Sequence, residues 1–173
     1  MLVAPLILGG MLSGCSSSKS PDVTDNIRRS LDQAGFKDVS VSEDRDKGVI
    51  TLTGTVPTDT DKQQAESIAK SSAPNLVVAD QISVRPPGNE SEAKAVDSDL
   101  DKAIEKNLDA TLVKHRLKKN VKYDVKNGVV TLKGDLPSQA KREQVEKLAA
   151  SVPNVKQVVN EIEVKGQKAT STS

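Results

Sequence analysis

The chain has almost no aromatic residues. Its 173 residues include one Phe, one Tyr and no Trp, so Phe36 and Tyr123 stand alone and aliphatic side chains must build any core. Nucleic acid is not an expected partner, because a single-strand binder stacks bases on aromatic side chains. One cysteine, Cys15, excludes an intrachain disulfide and any multi-cysteine metal site. One histidine, His115, leaves a metal site dependent on carboxylates, and no suitable carboxylate cluster is visible. No Ser/His/Asp arrangement is recognisable either, so the sequence gives no reason to expect an enzyme, a metal or a cofactor. Hydrophobic residues make up 35 % of the chain and charged residues 28 %, a thin supply of core. Two domains of about 65 residues each would sit near the size at which a single core is marginal.

The net charge of +1 is not evenly spread. Residues 22–85 hold eight Lys/Arg and eleven Asp/Glu, giving −3, whereas residues 97–166 hold fourteen and eleven, giving +3. The second half is the one suited to an anionic partner.

Residues 1–14, MLVAPLILGGMLSG, form an apolar run that is too short to span a bilayer and reads as a signal-peptide hydrophobic region. No Lys or Arg precedes Lys19, whereas a signal opens with one, so a start further upstream is expected. Leu12, Ser13, Gly14 and Cys15 resemble the bacterial lipobox, followed by a Ser-rich stretch. The resemblance implies cleavage after Gly14, diacylglycerol on the Cys15 thiol and acylation of the new amino terminus. Asp after the cysteine is the usual inner-membrane retention signal in such lipoproteins; Ser16 stands there, which points to the outer membrane.

The rest of the chain says one thing twice. DKGVITLTGTVP at 46–57 returns as KNGVVTLKGDLP at 126–137, with six identities at an offset of 80. Upstream of each phrase lies a helical stripe: Val23, Ile27 and Leu31 after Ser20-Pro21, and Leu100, Ile104 and Leu108 after Ser98. Alternation follows at Val39 and Val41, and at Val121, Tyr123 and Val125, predicting half-buried strands. Lys47-Gly48 and Asn127-Gly128 predict tight turns. The phrase then supplies returning strands, 49–53 and 129–133, which Gly54 and Gly134 are expected to end. Thr58 and Ser138 predict caps for second helices, with apolar faces Ala65, Ile68, Ala69 and Val145, Leu148, Ala149, Val152. PNLVVADQISV and PNVKQVVNEIEV close each copy with a strand. The order is α-β-β-α-β, twice: an α+β fold in which each small sheet is covered by two helices on one face.

The pattern G-V-[VI]-T-L-x-G-x-[VL]-P, a capped helix and V-x-x-V-x-N-x-I-x-V resembles the BON domain. In the second copy Val155, Val158, Asn160, Ile162 and Val164 fall on it; in the first, Asp80 replaces the asparagine. With the lipobox, the chain is similar to the two-BON-domain outer-membrane lipoproteins. That resemblance implies a three-stranded mixed sheet in each domain, association with phospholipid or envelope, and no catalysis. The expected organisation is a lipoprotein signal peptide at 1–14, a lipidated tether at 15–21 and BON domain 1 at 22–84. A linker at 85–97, BON domain 2 at 98–165 and a disordered tail at 166–173 complete it.

Two stretches have the composition of a site. GVVTLKG has neither phosphate-loop order and lies on a strand, so its glycines serve turns and strand ends. LVKHRLKKNVK, at 112–122, is the sharper feature, placing Lys114, Arg116, Lys118, Lys119 and Lys122 within nine residues. The helix stripes align at an offset of 77 and the strands at 80, so three extra residues are expected in this segment of the second copy. One reading is a lengthened helix whose last turn carries cations that its dipole favours and whose leucines pack on the sheet. The other is contact with anionic lipid headgroups, each cation worth about 1 kcal/mol near the surface, with Leu112, Val113 and Leu117 adding apolar contact. The expected role is therefore that of a non-catalytic envelope lipoprotein supporting outer-membrane integrity. The alternative is a periplasmic adaptor or chaperone-like stress factor that contacts envelope proteins and is merely anchored by its lipid.

Overall fold

A computed structural model describes residues 23–164. The elements are α1 (Val23–Gln33), β1 (Val39–Asp44), β2 (Val49–Val56), α2 (Asp59–Ser72) and β3 (Val77–Val84). They recur as α3 (Glu90–Lys114), β4 (Val121–Lys126), β5 (Val129–Leu136), α4 (Gln139–Ala150) and β6 (Gln157–Val164). Each half forms a three-stranded mixed sheet, β1-β2-β3 or β4-β5-β6. The first two strands pair antiparallel as a hairpin, and the third lies parallel to the second after a helical crossover.

Alternation along the strands decides the layers. In the first half Ile50, Leu52, Val56, Val78 and Ile82 face the helices and meet Ile27, Leu31, Ala65 and Ala69. In the second half Val130, Leu132, Leu136 and Ile162 meet Ile104, Leu108, Leu112, Val145 and Ala149. The second helices start where expected. Thr58 Oγ1 accepts from the backbone N–H of Asp61 at 3.1 Å, and Ser138 Oγ from that of Lys141 at 3.4 Å. Ser20 and Pro21, whose residue types suit a helix N-cap and first turn, fall outside the described residues.

Three expectations change. The strands do not stop at Gly54 and Gly134 but run through them to Val56 and Leu136. Both glycines hold a positive φ, 125° and 136°, where β1 or β4 begins its ladder. A Cβ there would lie 2.0 Å from the Asp38 carbonyl oxygen or 2.1 Å from that of Asn120, so only glycine lets the strands close up.

More than half of the expected linker, residues 90–97 of 85–97, is helix. α3 begins at Glu90, so Ser98, read as standing just ahead of the helical stripe, lies inside it. Glu90, Glu92 and the alanines at 93 and 95 explain this, as acidic residues in the first turn and strong helix formers. Only Arg85–Asn89 is left to connect the halves, and Arg85 is itself held by Asp97 of α3 at 2.6 Å.

The three-residue insertion dissolves. Phe36 N donates to Leu31 O at 2.9 Å, and Leu117 N to Leu112 O at 2.8 Å, the same helix-ending bond. Leu112 is therefore the counterpart of Leu31, and the helices correspond at a shift of 81 positions, from 31 to 112. The repetitive stripe had slipped by one helical turn. Val39 opposes Gly54 and Val121 opposes Gly134, so β1 and β4 correspond at 82 positions while β2 and β5 correspond at 80. One residue is added after the helix, and two are removed from the hairpin, where Asn127-Gly128 does the work of residues 45–48.

The sheet faces turned away from the helices pack on each other. Val49, Val77 and Ala79 meet Val129 and Val159 in a small apolar seam. Side-chain amides of the second half grip β3: Gln157 Nε2 donates to Val78 O at 2.7 Å, and its Oε1 accepts from Asp80 N at 3.1 Å. Asn127 Nδ2 donates to Gln81 O at 2.7 Å and its Oδ1 accepts from Ser83 Oγ at 2.9 Å. Eighty positions away in each partner, Lys47 pairs with Glu163, so the contact is repeated in reverse about an approximate two-fold. Gly134→Ala should cost about 1–3 kcal/mol from the glycine-only backbone region alone. Urea unfolding should show a lower midpoint for this variant than for wild type.

Candidate anionic-surface site

The five cations singled out by sequence lie where α3 ends and β4 begins. Lys114 is the last residue of α3, where the exposed carbonyls favour positive charge. His115, Arg116, Lys118 and Lys119 form the exposed connection, and Lys122 projects outward from β4. The apolar residues of the segment divide differently from expectation. Leu112 and Leu117 are 0 % and 6 % exposed and belong to the core, because they close the helix-ending motif over the sheet. Val113 alone, 62 % exposed, is presented to solvent.

Lys118 is held apart from the other four. Its ammonium pairs with the Asp109 carboxylate, lies 3.4 Å from the Tyr123 hydroxyl and sits 4.6 Å from the ring centroid. The Tyr123 hydroxyl donates to the same carboxylate. Hydrogen bonds from Lys118 and Tyr123 lower the Asp109 pKa, the bond to Asp109 raises that of Lys118, and burial raises that of Tyr123. Lys118 is thus a strut that ties the connection to α3 and β4. Lys114, Arg116, Lys119 and Lys122 have no carboxylate within 4.0 Å among the described residues. In the first half the matching connection, 33–38, reads QAGFKD, with one cation and one carboxylate.

A second polar cluster lies between sheet and helix and is present in both halves. In the second, Arg142 donates to Asn160 O at 2.8 Å, and Asn160 donates to Glu146 at 2.8 Å while accepting from Ile162 N at 3.2 Å. The same positions in the first hold Lys62, Glu66 and Asp80. Asp80 accepts from Ile82 N at 3.1 Å and lies 3.7 Å from Lys62, whose ammonium also donates to Ile82 O at 2.7 Å. The substitution noted in the sequence as Asp80 for asparagine is therefore a nearly buried carboxylate where its twin is neutral. Burial raises its pKa, against the opposing pull of Lys62 and the Ile82 N–H. It borders a groove of about 320 Å³ between the halves, lined also by Glu66, Asp97, Asn127 and Lys156.

Among the described residues no group of three His, Cys, Asp or Glu side chains could hold a metal ion, and no helix is long and apolar enough to cross a membrane. Cys15 lies outside the described residues.

The family model of the BON domain matches residues 20–86 and again residues 97–166. The chain belongs to the BON-domain family. It is 29 % identical over 146 residues to the osmotically-inducible protein Y of Escherichia coli (strain K12), covering 83 % of this chain and 71 % of that protein. Among solved structures it is similar to CdsD, described as a structural protein of the Type III secretion system of Chlamydia trachomatis. That match has 15 % identity and a TM-score of 0.36 and covers 81 % of this chain and 90 % of the other. The C-terminal domain of CdsD matches at 16 % identity and a TM-score of 0.35, over 83 % and 97 %.

A raised folded-state pKa means that Asp80 is harder to ionise in the fold than in the unfolded chain. Its charge therefore costs stability at neutral pH, and the cost disappears as pH falls through the raised value toward the ordinary 3.8. Asp80→Asn, which installs the twin's solution beside Lys62, Glu66 and Lys156, should raise the melting temperature at pH 7 by about 2–5 °C. The gain should shrink as pH falls through the raised value and be gone below the ordinary 3.8, as read by thermal unfolding across a pH series.

Proposed function

We propose that this two-BON-domain chain is a lipid-anchored protein of the outer membrane, facing the periplasm, that acts without catalysis. Its second domain contacts anionic phospholipid headgroups and so supports envelope integrity under stress. The observation that carries the reading is that Lys114, Arg116, Lys119 and Lys122, in the nine residues after exposed Val113, are themselves exposed and have no carboxylate partners among the described residues. The related protein's printed name, osmotically inducible, is in keeping with an envelope-stress setting. Acylated Cys15 supplies retention at the membrane, since two or more acyl chains make a stable anchor where one does not. The cations supply preference for anionic surfaces, acting within a Debye length of about 8–10 Å.

All described elements lie within residues 23–164, so the chain beginning at Ser16 keeps every one of them. In flotation it should bind vesicles containing phosphatidylglycerol, release them with salt and ignore purely zwitterionic vesicles. Changing the four cations to Gln should weaken binding at least about tenfold. Lack of flotation at low salt would overturn the headgroup reading and leave the protein-adaptor alternative. The anchor has its own test. Cys15→Ala should release the full chain from membranes, and intact-mass analysis of the wild type should show acyl adducts; an unmodified cysteine in the membrane-extracted chain rejects the lipobox.

A further inference from the structure

Three non-glycine residues among those described have positive φ: Asn127 at 52°, Asn154 at 68° and Arg116 at 59°. Two are asparagine, the residue that best tolerates the left-handed region after glycine. The third is an arginine, for which the conformation brings the Cβ penalty and no local hydrogen bond of its side chain. The position is the one that ends α3: Arg116 N donates to Val113 O at 3.0 Å, and Leu117 N to Leu112 O at 2.8 Å. In the first domain the same bonds run from Gly35 N to Asp32 O at 3.1 Å and from Phe36 N to Leu31 O at 2.9 Å. There the residue is Gly35, at φ 92°.

Within one chain the same motif is thus built once with the residue it favours and once with a residue it disfavours. Among the described residues no hydrogen bond or ion pair of the Arg116 side chain offsets the difference. The Arg116 side chain is exposed, with no ion partner among the described residues. What the position gives is exposure: the side chain is presented to solvent in the short connection that runs from Lys114, the last residue of α3, through Lys119. The neighbouring Lys118 is fixed to Asp109 and Tyr123, so the connection is already ordered.

We propose that Arg116 is the phosphate-reading residue of the headgroup site, held in a disfavoured backbone conformation at the expense of fold stability. This rests on the headgroup reading given above and adds its chemistry. The ligand is the phosphodiester of an anionic glycerophospholipid in a bilayer, which a planar guanidinium grips through two parallel N–H donors and an ammonium does not.

The test uses the chain beginning at Ser16 with phosphatidylglycerol vesicles, comparing wild type, Arg116→Gly and Arg116→Lys. Arg116→Gly should melt about 2–6 °C higher while binding the vesicles about fivefold more weakly, stability and binding moving in opposite directions. Arg116→Lys keeps the charge and the strain; it should melt like wild type and bind about two- to threefold more weakly. Free glycerol phosphate at millimolar concentration should not displace the vesicles if the bilayer is the ligand; displacement would assign the site to a soluble phosphate instead. A less stable Arg116→Gly overturns the strain argument, and unchanged binding by that variant overturns the role of Arg116. Wild-type binding by Arg116→Lys overturns the guanidinium requirement. Failure of wild type itself to bind rejects the underlying headgroup reading, a distinguishable result.

Discussion

Each half of this chain has a sheet whose second face carries apolar side chains that its own helices leave uncovered. The seam of Val49, Val77, Ala79, Val129 and Val159 is the contact on which the rest depends. A helix-covered sheet of three short strands shields only one face, and a β-branched residue on the other face would otherwise meet water. Packing the bare faces together gives β3 cover on both sides, which is why it is buried along nearly its whole length. Its edge is then closed by side chains rather than another strand. Gln157 supplies a donor and an acceptor spaced like a backbone amide, and Asp80 and Lys62 take the groups of Ile82. An edge satisfied in this way has no ladder left to offer a foreign strand.

The same seam organises the candidate site from a distance. Asp101 on α3 accepts from the backbone N–H groups of Asn127 and Gly128, at 2.8 and 2.9 Å, and so fixes the turn whose asparagine grips β3. The helix that ends in the cations is thereby tied at its middle to the seam and at its start, through Asp97, to the connecting Arg85. The basic connection stands on a braced helix, and Lys118 braces it locally.

Much of this was legible in the sequence, for a physical reason in each case. Hairpin, capped helix and closing strand are written in short-range chemistry, such as Asn-Gly, Thr58 and Ser138, and alternation at Val39 and Val41. The two-fold repetition fixed the strands because a one-residue slip there would turn every side chain to the wrong face. Helices give no such protection. A stripe repeating every turn matches itself after a shift of about one turn, so Leu108 could pose as the counterpart of Leu31 until the helix-ending bonds named Leu112. The linker misled because prolines and polar residues signal a break but do not say how soon a helix resumes. Leu112 and Leu117 could not be assigned inward or outward from spacing, since they flank the point where helical period gives way to a turn. Asp80 was visible as a departure from pattern, yet its burial depends on α2 and the opposing domain, which no local window contains.

The seam also distinguishes its two sides. Lys47 meets Glu163 where Asn127 meets Ser83, and Gln157 has Val77 as its counterpart. Two copies of the first domain placed together would bring each Lys47 to a serine and leave Val78 O and Asp80 N on both strands without a bonding group. Two copies of the second would set each Asn127 against a carboxylate it cannot neutralise. The duplicated module therefore works as a lock and key cut from one blank. Each half recognises the other more readily than itself, which favours pairing within a chain over like-with-like association between chains.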